Sequence, residues 1–236
     1  MNRTATTATV AAALALGALL TPGSAAADPA TTGSITGLSF FDRDADGIFG
    51  AGDRPMGGSP SYVVTDLATG EVTYKLWSNQ DGTYSVDDLA PGDYEILGRT
   101  GWYAKTTPET VRVRVEAGQA VVVDFGARGA RVGGSAWIDT DGDGVREAGE
   151  PAAAHAPLYV NTPYLAYATT DAQGNYQVED LPVVGSGKVQ PQALEGYTFT
   201  TPGGDSDIDP ATGSSATFPM TADTDEVVTI GYAPVG

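Results

Sequence analysis

Two stretches of this 236-residue chain carry acidic side chains on alternate residues, the spacing at which carboxylates converge on one cation. The first reads Asp42-Arg-Asp44-Ala-Asp46-Gly47-Ile48 and closes on Asp53. The second reads Asp139-Thr-Asp141-Gly-Asp143-Gly144-Val145 and closes on Glu150. In the calcium-loop pattern Asp-x-Asp-x-Asp-Gly, the three aspartates turn around the ion and glycine permits the sharp bend. The next residue offers its backbone carbonyl, and an acid at position 12 closes the shell. The expected ligands are therefore Asp42, Asp44, Asp46, Ile48 and Asp53, and in the second loop Asp139, Asp141, Asp143, Val145 and Glu150. An all-oxygen shell suits Ca2+, whereas zinc would want His or Cys. The chain has one His and no Cys.

Charge supports a bound cation. Carboxylates about 4 Å apart repel by about 4 kcal/mol at an effective dielectric of 20, so either loop would splay without one. The sites should not be equal. Asp53 is one methylene shorter than Glu150, and Gly50 stands where the second loop has Glu147, so the second site is expected to bind more tightly. A third run, Asp205-Ser-Asp207-Ile-Asp209, is a candidate extra site, with an exposed acidic loop as the plainer reading. Asp171 and its counterpart Asn79 read as turn-capping side chains rather than ligands.

The elements that must hold these loops repeat. Residues 42–53 and 139–150 align without a gap. Asp81-Gly-Thr-Tyr84 through Leu89 answers Gln173-Gly-Asn-Tyr176 through Leu181, and Val121–Gly126 answers Val227–Tyr232. Such self-similarity means two copies of one unit. Each copy has a period of two, clearest in Val111-Arg-Val-Arg-Val115, and Gly, Pro, Asp and Asn separate its short apolar runs. Seven runs can be cut from the first copy: Ile35–Phe41, Tyr62–Leu67, Val72–Ser78, Thr83–Asp87, Tyr94–Leu97, Val111–Val115 and Ala120–Phe125. This predicts an all-β chain of two tandem seven-stranded antiparallel Greek-key β-sandwiches, immunoglobulin-like or prealbumin-like, over residues 33–128 and 129–236. Tyr84, Leu89, Tyr94, Val113 and Phe125 are expected to face inward. Trp77, Trp102 and Trp137 read as core or rim residues. If the strands alternate in direction, the first and seventh end at one pole. Loop 42–53 would then lie at the junction of the sandwiches and loop 139–150 at the far pole.

Composition excludes several classes. With 30 Asp and Glu against 12 Lys and Arg, the formal charge is −18, so nucleic acid and anionic bilayers would be repelled. Met1–Ala27 has a basic start, an apolar run too short to span a membrane and the small residues Ala25–Ala27, which reads as a secretory signal peptide, with residues 28–32 as a short leader. A secreted, extracellular protein with no membrane span and no sorting tail is expected. Without Cys, packing or metal must supply the stability that disulfides would otherwise give.

The strand-to-acidic-loop pattern ending Ala-Gly-Glu150-Pro151 resembles the SdrD B-like domain, a relative of the Cna B-type (transthyretin-like) sandwich. Asp171-Ala-Gln-Gly-Asn-Tyr176 with Leu181-Pro182, and Gly82-Thr-Tyr84 through Tyr94, are similar to that family's second signature. The resemblance implies calcium-rigidified repeats acting as spacers or adhesive modules on bacterial surfaces, with extracellular-matrix, cell-wall or other surface proteins as partners. Pro182-Val-Val-Gly185 departs from the family's usual Pro-Gly turn, and neither first strand holds the Lys of an isopeptide cross-link, so none is expected. A catalytic role is not expected. His155 lies in a Pro- and Ala-rich loop with no Gly-x-Ser-x-Gly motif, and the acids cluster at ligand spacing rather than as a glycosidase pair. The alternative is a carbohydrate-type binding module built on exposed aromatics.

Overall fold

The structure, a computed structural model, describes residues 31–58, 60–75, 77–201 and 204–236. The expected signal peptide and most of the expected leader lie outside the described residues. Within them every regular element is a strand. The first half contributes β1 (Gly33–Phe41), β2 (Arg54–Pro55), β3 (Ser61–Asp66), β4 (Val72–Lys75), β5 (Thr83–Leu89), β6 (Gly92–Arg99), β7 (Ala104–Lys105), β8 (Thr110–Val115), β9 (Ala120–Val122) and β10 (Phe125–Arg128). The second half contributes β11 (Ala130–Ile138), β12 (Pro157–Asn161), β13 (Leu165–Thr169), β14 (Asn175–Leu181), β15 (Ser186–Pro191), β16 (Tyr197–Phe199), β17 (Ile208–Asp209), β18 (Ser214–Ser215), β19 (Phe218–Pro219), β20 (Asp225–Val227) and β21 (Ile230–Pro234).

Each of the seven expected runs contains a strand. The additional segments are the two-residue pairings β2 and β7 and a break in the last run between β9 and β10. In the first half, one sheet runs β4-β3-β6-β8, and the other is built around β1, with β5 on one side and β9 and β10 on the other. The second half repeats this plan around β11, with β14, β20 and β21, over a sheet β13-β12-β15-β19. Pairing is antiparallel except at the first strand of each half. There β1 runs parallel to β9 and β10, and β11 runs parallel to β20 and β21.

Alternation builds one main core in each half, and Phe41, Met56 and Ala127 form a smaller cluster in the first. Along β6, Tyr94, Ile96 and Gly98 point inward while Asp93 and Glu95 face solvent or the rim. Tyr62 and Tyr84 stack at 3.8 Å, with Phe125 beside them, and Ile35, Val64 and Val115 complete the packing. In the second half Leu158, Val160, Val189, Ile230 and Tyr232 are fully buried. Four of the five expected inward residues are buried. Val113 is only half-buried, because β8 is an edge strand whose face the core covers in part. Trp137 is a core residue. Trp77 and Trp102 are exposed (62% and 49%), because both lie in loops beyond the ends of the strands.

One device fixes where the acidic loops emerge. Each first strand pairs with one partner along its first half and another along its second, and it passes between them at a glycine. A Cβ at Gly37 would stand 1.9 Å from the Val123 carbonyl oxygen, and at Gly134 equally close to Val228. The same carbonyls accept the buried hydroxyls of Tyr84 (2.5 Å) and Tyr176 (2.8 Å). After this crossing β1 and β11 run beside β10 and β21, and the chain leaves the sheet at Asp42 and Asp139. There the backbone N–H donates to Ala127 O (2.9 Å) and Tyr232 O (2.8 Å) respectively.

Candidate metal centres

Asp42 and Asp139, the first acid of each loop, are fully buried at the end of the central strand. Asp42 accepts the Asp46 N–H (3.2 Å) and the Gly47 N–H (2.8 Å) on its two oxygens. Asp139 accepts Gly142 N–H (2.7 Å), Gly144 N–H (2.8 Å) and the Thr200 hydroxyl, a short hydrogen bond. Burial pushes both carboxyls up. The loop amides, joined at Asp139 by the Thr200 hydroxyl, outweigh it, so both carboxyls sit below the ordinary carboxylate value of 3.8. Gly47 and Gly144 have φ of 79° and 84°, the left-handed turn expected at position 6.

The closing acids tie each loop's end to its start. Asp53 accepts Arg43 N–H (3.0 Å) and Gly50 N–H (2.8 Å), and Glu150 accepts Thr140 N–H (2.7 Å) and Glu147 N–H (3.2 Å). The result is two matched cages. Carboxylate oxygens of Asp42, Asp44 and Asp53 lie within 4.8 Å of one another, and so do those of Asp139, Asp141 and Glu150. These six of the expected ligands come together. Asp46 and Asp143 do not join those trios. Each turns its carboxylate onto the N–H of the residue two further on, Ile48 or Val145 (2.7 Å in both loops). The Ile48 and Val145 side chains face solvent, as befits residues expected to offer only backbone.

Asp143 instead groups with Asp141 and Glu147, a trio that the position-12 pattern did not single out. Partial desolvation, then the anions of Asp143, Asp141 and Glu150, hold the Glu147 carboxyl above its ordinary value. At Asp44 the Asp46 amide favours the anion. Desolvation and the charges of Asp46 and Asp53 prevail, and its carboxyl is also raised. The first cage at Asp44, and the neighbouring trio of the second loop at Glu147, thus carry crowded negative charge that a cation would relieve.

The third acidic run does not form a cage. Asp205 accepts the Arg146 N–H (2.9 Å), Asp207 accepts the Thr229 N–H (2.7 Å) and hydroxyl (2.8 Å), and Asp209 caps Ala211 (2.9 Å). Its three carboxylates serve three different parts of the backbone. Asp205 nevertheless braces the second loop, since its own N–H donates to Gly144 O (2.8 Å). Asp171 caps the Gln173 and Asn175 amides, as expected of a turn residue.

Loop 42–53 meets the second half of the chain. Arg43 reaches Asp180 (2.8 Å) and Glu179 (2.9 Å), and Arg54 reaches Asp180 (3.1 Å). The Arg43 guanidinium also donates to Gly52 O (3.2 Å), which ties the loop to the junction. Beside it, Val183 N–H donates to Trp102 O (2.8 Å), and Trp102 packs on Tyr164 with ring centroids 4.8 Å apart. Loop 139–150 lies instead against the segment around Thr201 and Gly204.

Residues 130–232 match the family model of the SdrD B-like domain. Colossin-A of Dictyostelium discoideum is 26% identical over 170 residues, 62% of this chain, which spans only 1% of that protein's length. The shaft pilin SpaA of Lactobacillus rhamnosus GG aligns over 87% of this chain and 99% of its own, at 11% identity and a TM-score of 0.46. The Bacillus anthracis TIE protein aligns over 87% of this chain and 34% of its own, at 12% identity and a TM-score of 0.37. GBS52, a minor pilin of Streptococcus agalactiae, aligns over 86% and 96%, at 13% identity and a TM-score of 0.34.

Proposed function

We infer that this chain, whose residues 130–232 form an SdrD B-like domain, is an exported calcium-binding protein that serves as a structural or adhesive module outside the cell. The observation that carries this reading is the matched pair of carboxylate cages, each at the end of the central strand of its own sandwich. Ca2+ would be held by Asp42, Asp44 and Asp53 in one loop and by Asp139, Asp141 and Glu150 in the other. It would neutralise the crowded anions and fix each loop on its sheet. Partners would be extracellular-matrix, cell-wall or other surface proteins rather than nucleic acid. Among the described residues no helix is long and apolar enough to cross a membrane. His155, exposed on a turn with φ of 57°, has no catalytic role in this reading.

Calorimetric titration with Ca2+ and thermal melting in Ca2+ or EGTA test the proposal. At ten times its dissociation constant, one site adds about 1.4 kcal/mol of stability. Extracellular sites bind at roughly 0.1–1 mM, so millimolar Ca2+ should raise the melting midpoint. No heat of binding and a midpoint unmoved by EGTA would overturn it.

A second reading rests on Trp102 and Tyr164, a half-exposed aromatic pair that could stack on sugar rings. Soluble glycans would then change the tryptophan fluorescence of the wild type but not that of Trp102→Ala. Identical responses from both would remove it.

A further inference from the structure

The two halves repeat one another at the junction acids as well as at the loops. Glu179 and Asp180 end β14 in the second half, and Asp87 and Asp88 stand at the same places in β5. The backbone agrees. Asp88 and Asp180 are both left-handed, with φ of 60° and 57°, and both sit beside a register shift against the first strand. A side chain two residues earlier braces each leading acid: Ser85 Oγ on Asp87 (2.5 Å) and Gln177 Nε2 on Glu179 (2.9 Å).

Their surroundings differ. In the second half the Arg43 and Arg54 guanidinium groups cover the acids, and the Asp180 side chain is only 5% exposed. In the first half Asp87 and Asp88 face solvent. Asp66, Glu71 and Tyr94 line the same cleft. Among the described residues none of these four acids pairs with a cationic side chain. An acidic cleft alone would signify little. Here the corresponding residues of the same molecule already hold two arginines, which identifies the chemistry the surface is shaped to meet.

We propose that the Asp87–Asp88 pole of the first sandwich is a docking surface for another β-sandwich that presents two arginines at the positions of Arg43 and Arg54. A second copy of this chain cannot supply them from its far pole. There the corresponding residues are Thr140 and Pro151, and the copy's own Arg43 and Arg54 are engaged by Asp180. The partner is therefore a different sandwich with an arginine-bearing acidic loop. Guanidinium groups fit because they offer several donors in a planar fork to adjacent carboxylates.

The test places such a partner next to the pole. A copy of residues 33–129 is inserted directly ahead of Gly33 in the full chain, which reproduces the register of the existing junction because Gly33 and Ala130 occupy equivalent positions. The chain lacks Cys, so single cysteines can carry spin labels on either side of the new junction. Electron–electron distance measurements should give one narrow distribution. Asp87→Asn with Asp88→Asn in the middle sandwich should broaden it, whereas the same changes in the leading copy should leave it narrow. Asn tolerates the left-handed conformation, so the variants keep the fold. A broad distribution before mutation, or a narrow one that the middle-sandwich changes leave alone, would overturn the proposal. Sedimentation showing that the unmodified chain self-associates through Asp87 and Asp88 would overturn the choice of partner.

Discussion

Asp139 spends its two buried oxygens on three donors before any cation arrives, so its structural role can be measured apart from the proposed cation site. Asp139→Ala would orphan two loop amides and the Thr200 hydroxyl. Two of these donors are buried, and at about 1–3 kcal/mol per buried unsatisfied group the change should cost at least about 2 kcal/mol by denaturant unfolding in EGTA. Glu150 behaves differently, because it links exposed amides and would face the proposed ion. Glu150→Gln should leave the calcium-free midpoint nearly unchanged yet remove more of the Ca2+-induced gain than Asp53→Asn does, and equal losses would refute the ranking of the sites. Acid should act through Asp42 and Asp139. Their folded values are lowered, so their stabilisation is complete above the ordinary value of 3.8 and fades as pH falls through the lower folded values. Melting of the calcium-free protein across that acid range should show this decline, and Asp139→Asn should flatten it. The alternation of acids revealed both loops at this scale. It could not show that Asp46 and Asp143 stay outside the two matched trios, because an aspartate that caps the amide two residues on has the same spacing as one that converges with its neighbours. Nor could it show Asp205 bracing Gly144, since that contact joins distant parts of the chain.

At the scale of elements, each acidic loop depends on a central strand that changes partners at a glycine. Gly37→Ala or Gly134→Ala would drive a methyl into a carbonyl that already accepts a tyrosine hydroxyl. Each should cost about 3 kcal/mol or more, the upper range for overpacked sites, and should weaken Ca2+ binding in its own half only, as read by denaturation and calorimetry. The tyrosines at these crossings predict alkaline behaviour. Burial pushes the Tyr62 hydroxyl up to about 12, and Tyr84 and Tyr176 are raised in the same way. A raised folded value favours the neutral phenol, so this stability is complete below about 10, the free tyrosine value, and is lost as pH rises through the folded values. The share of phenolate absorbance that these buried tyrosines contribute should therefore appear cooperatively with unfolding rather than as ordinary tyrosine titration. The strands were legible because period-two alternation and Gly- or Asp-rich turns are local signals. The parallel pairing of first with last strand leaves no local mark. The exposure of Trp77 and Trp102 was not legible either, because a tryptophan in a loop reads like one at a rim.

For the molecule as a whole, the direction of the strands was enough to place loop 42–53 at the junction, since strands that alternate bring the first and seventh to one pole. The chemistry of the joint was hidden. Arg43 occupies a non-ligand position inside an acidic motif, and its partner Asp180 is far along the chain, so neither residue marks the pair in the sequence. Exposed ion pairs contribute only about 0–1 kcal/mol, but Asp180 is enclosed and serves two guanidinium groups, with Glu179 as a second acceptor for Arg43. The Arg43 backbone N–H also donates to Asp53, and its side chain to Gly52 O, so one residue belongs to both the joint and the first cage. Asp180→Asn, which keeps the left-handed backbone, weakens the hold on Arg43 and leaves its charge free to swing toward Asp44 and Asp53. That charge then competes with the cation, and the loss of the Asp180 anion weakens the attraction for Ca2+ further, so both effects have the same sign. Calorimetry should show the first site weakened several-fold and the second unchanged, within the roughly 1–3 kcal/mol typical of coupled sites. By reciprocity, Ca2+ at the first site should narrow the range of orientations between the sandwiches in the wild type and do so less in Asp180→Asn, as spin-label distances across the junction would report. If binding at both sites is unchanged in Asp180→Asn, the first loop and the joint are independent and the coupling is refuted.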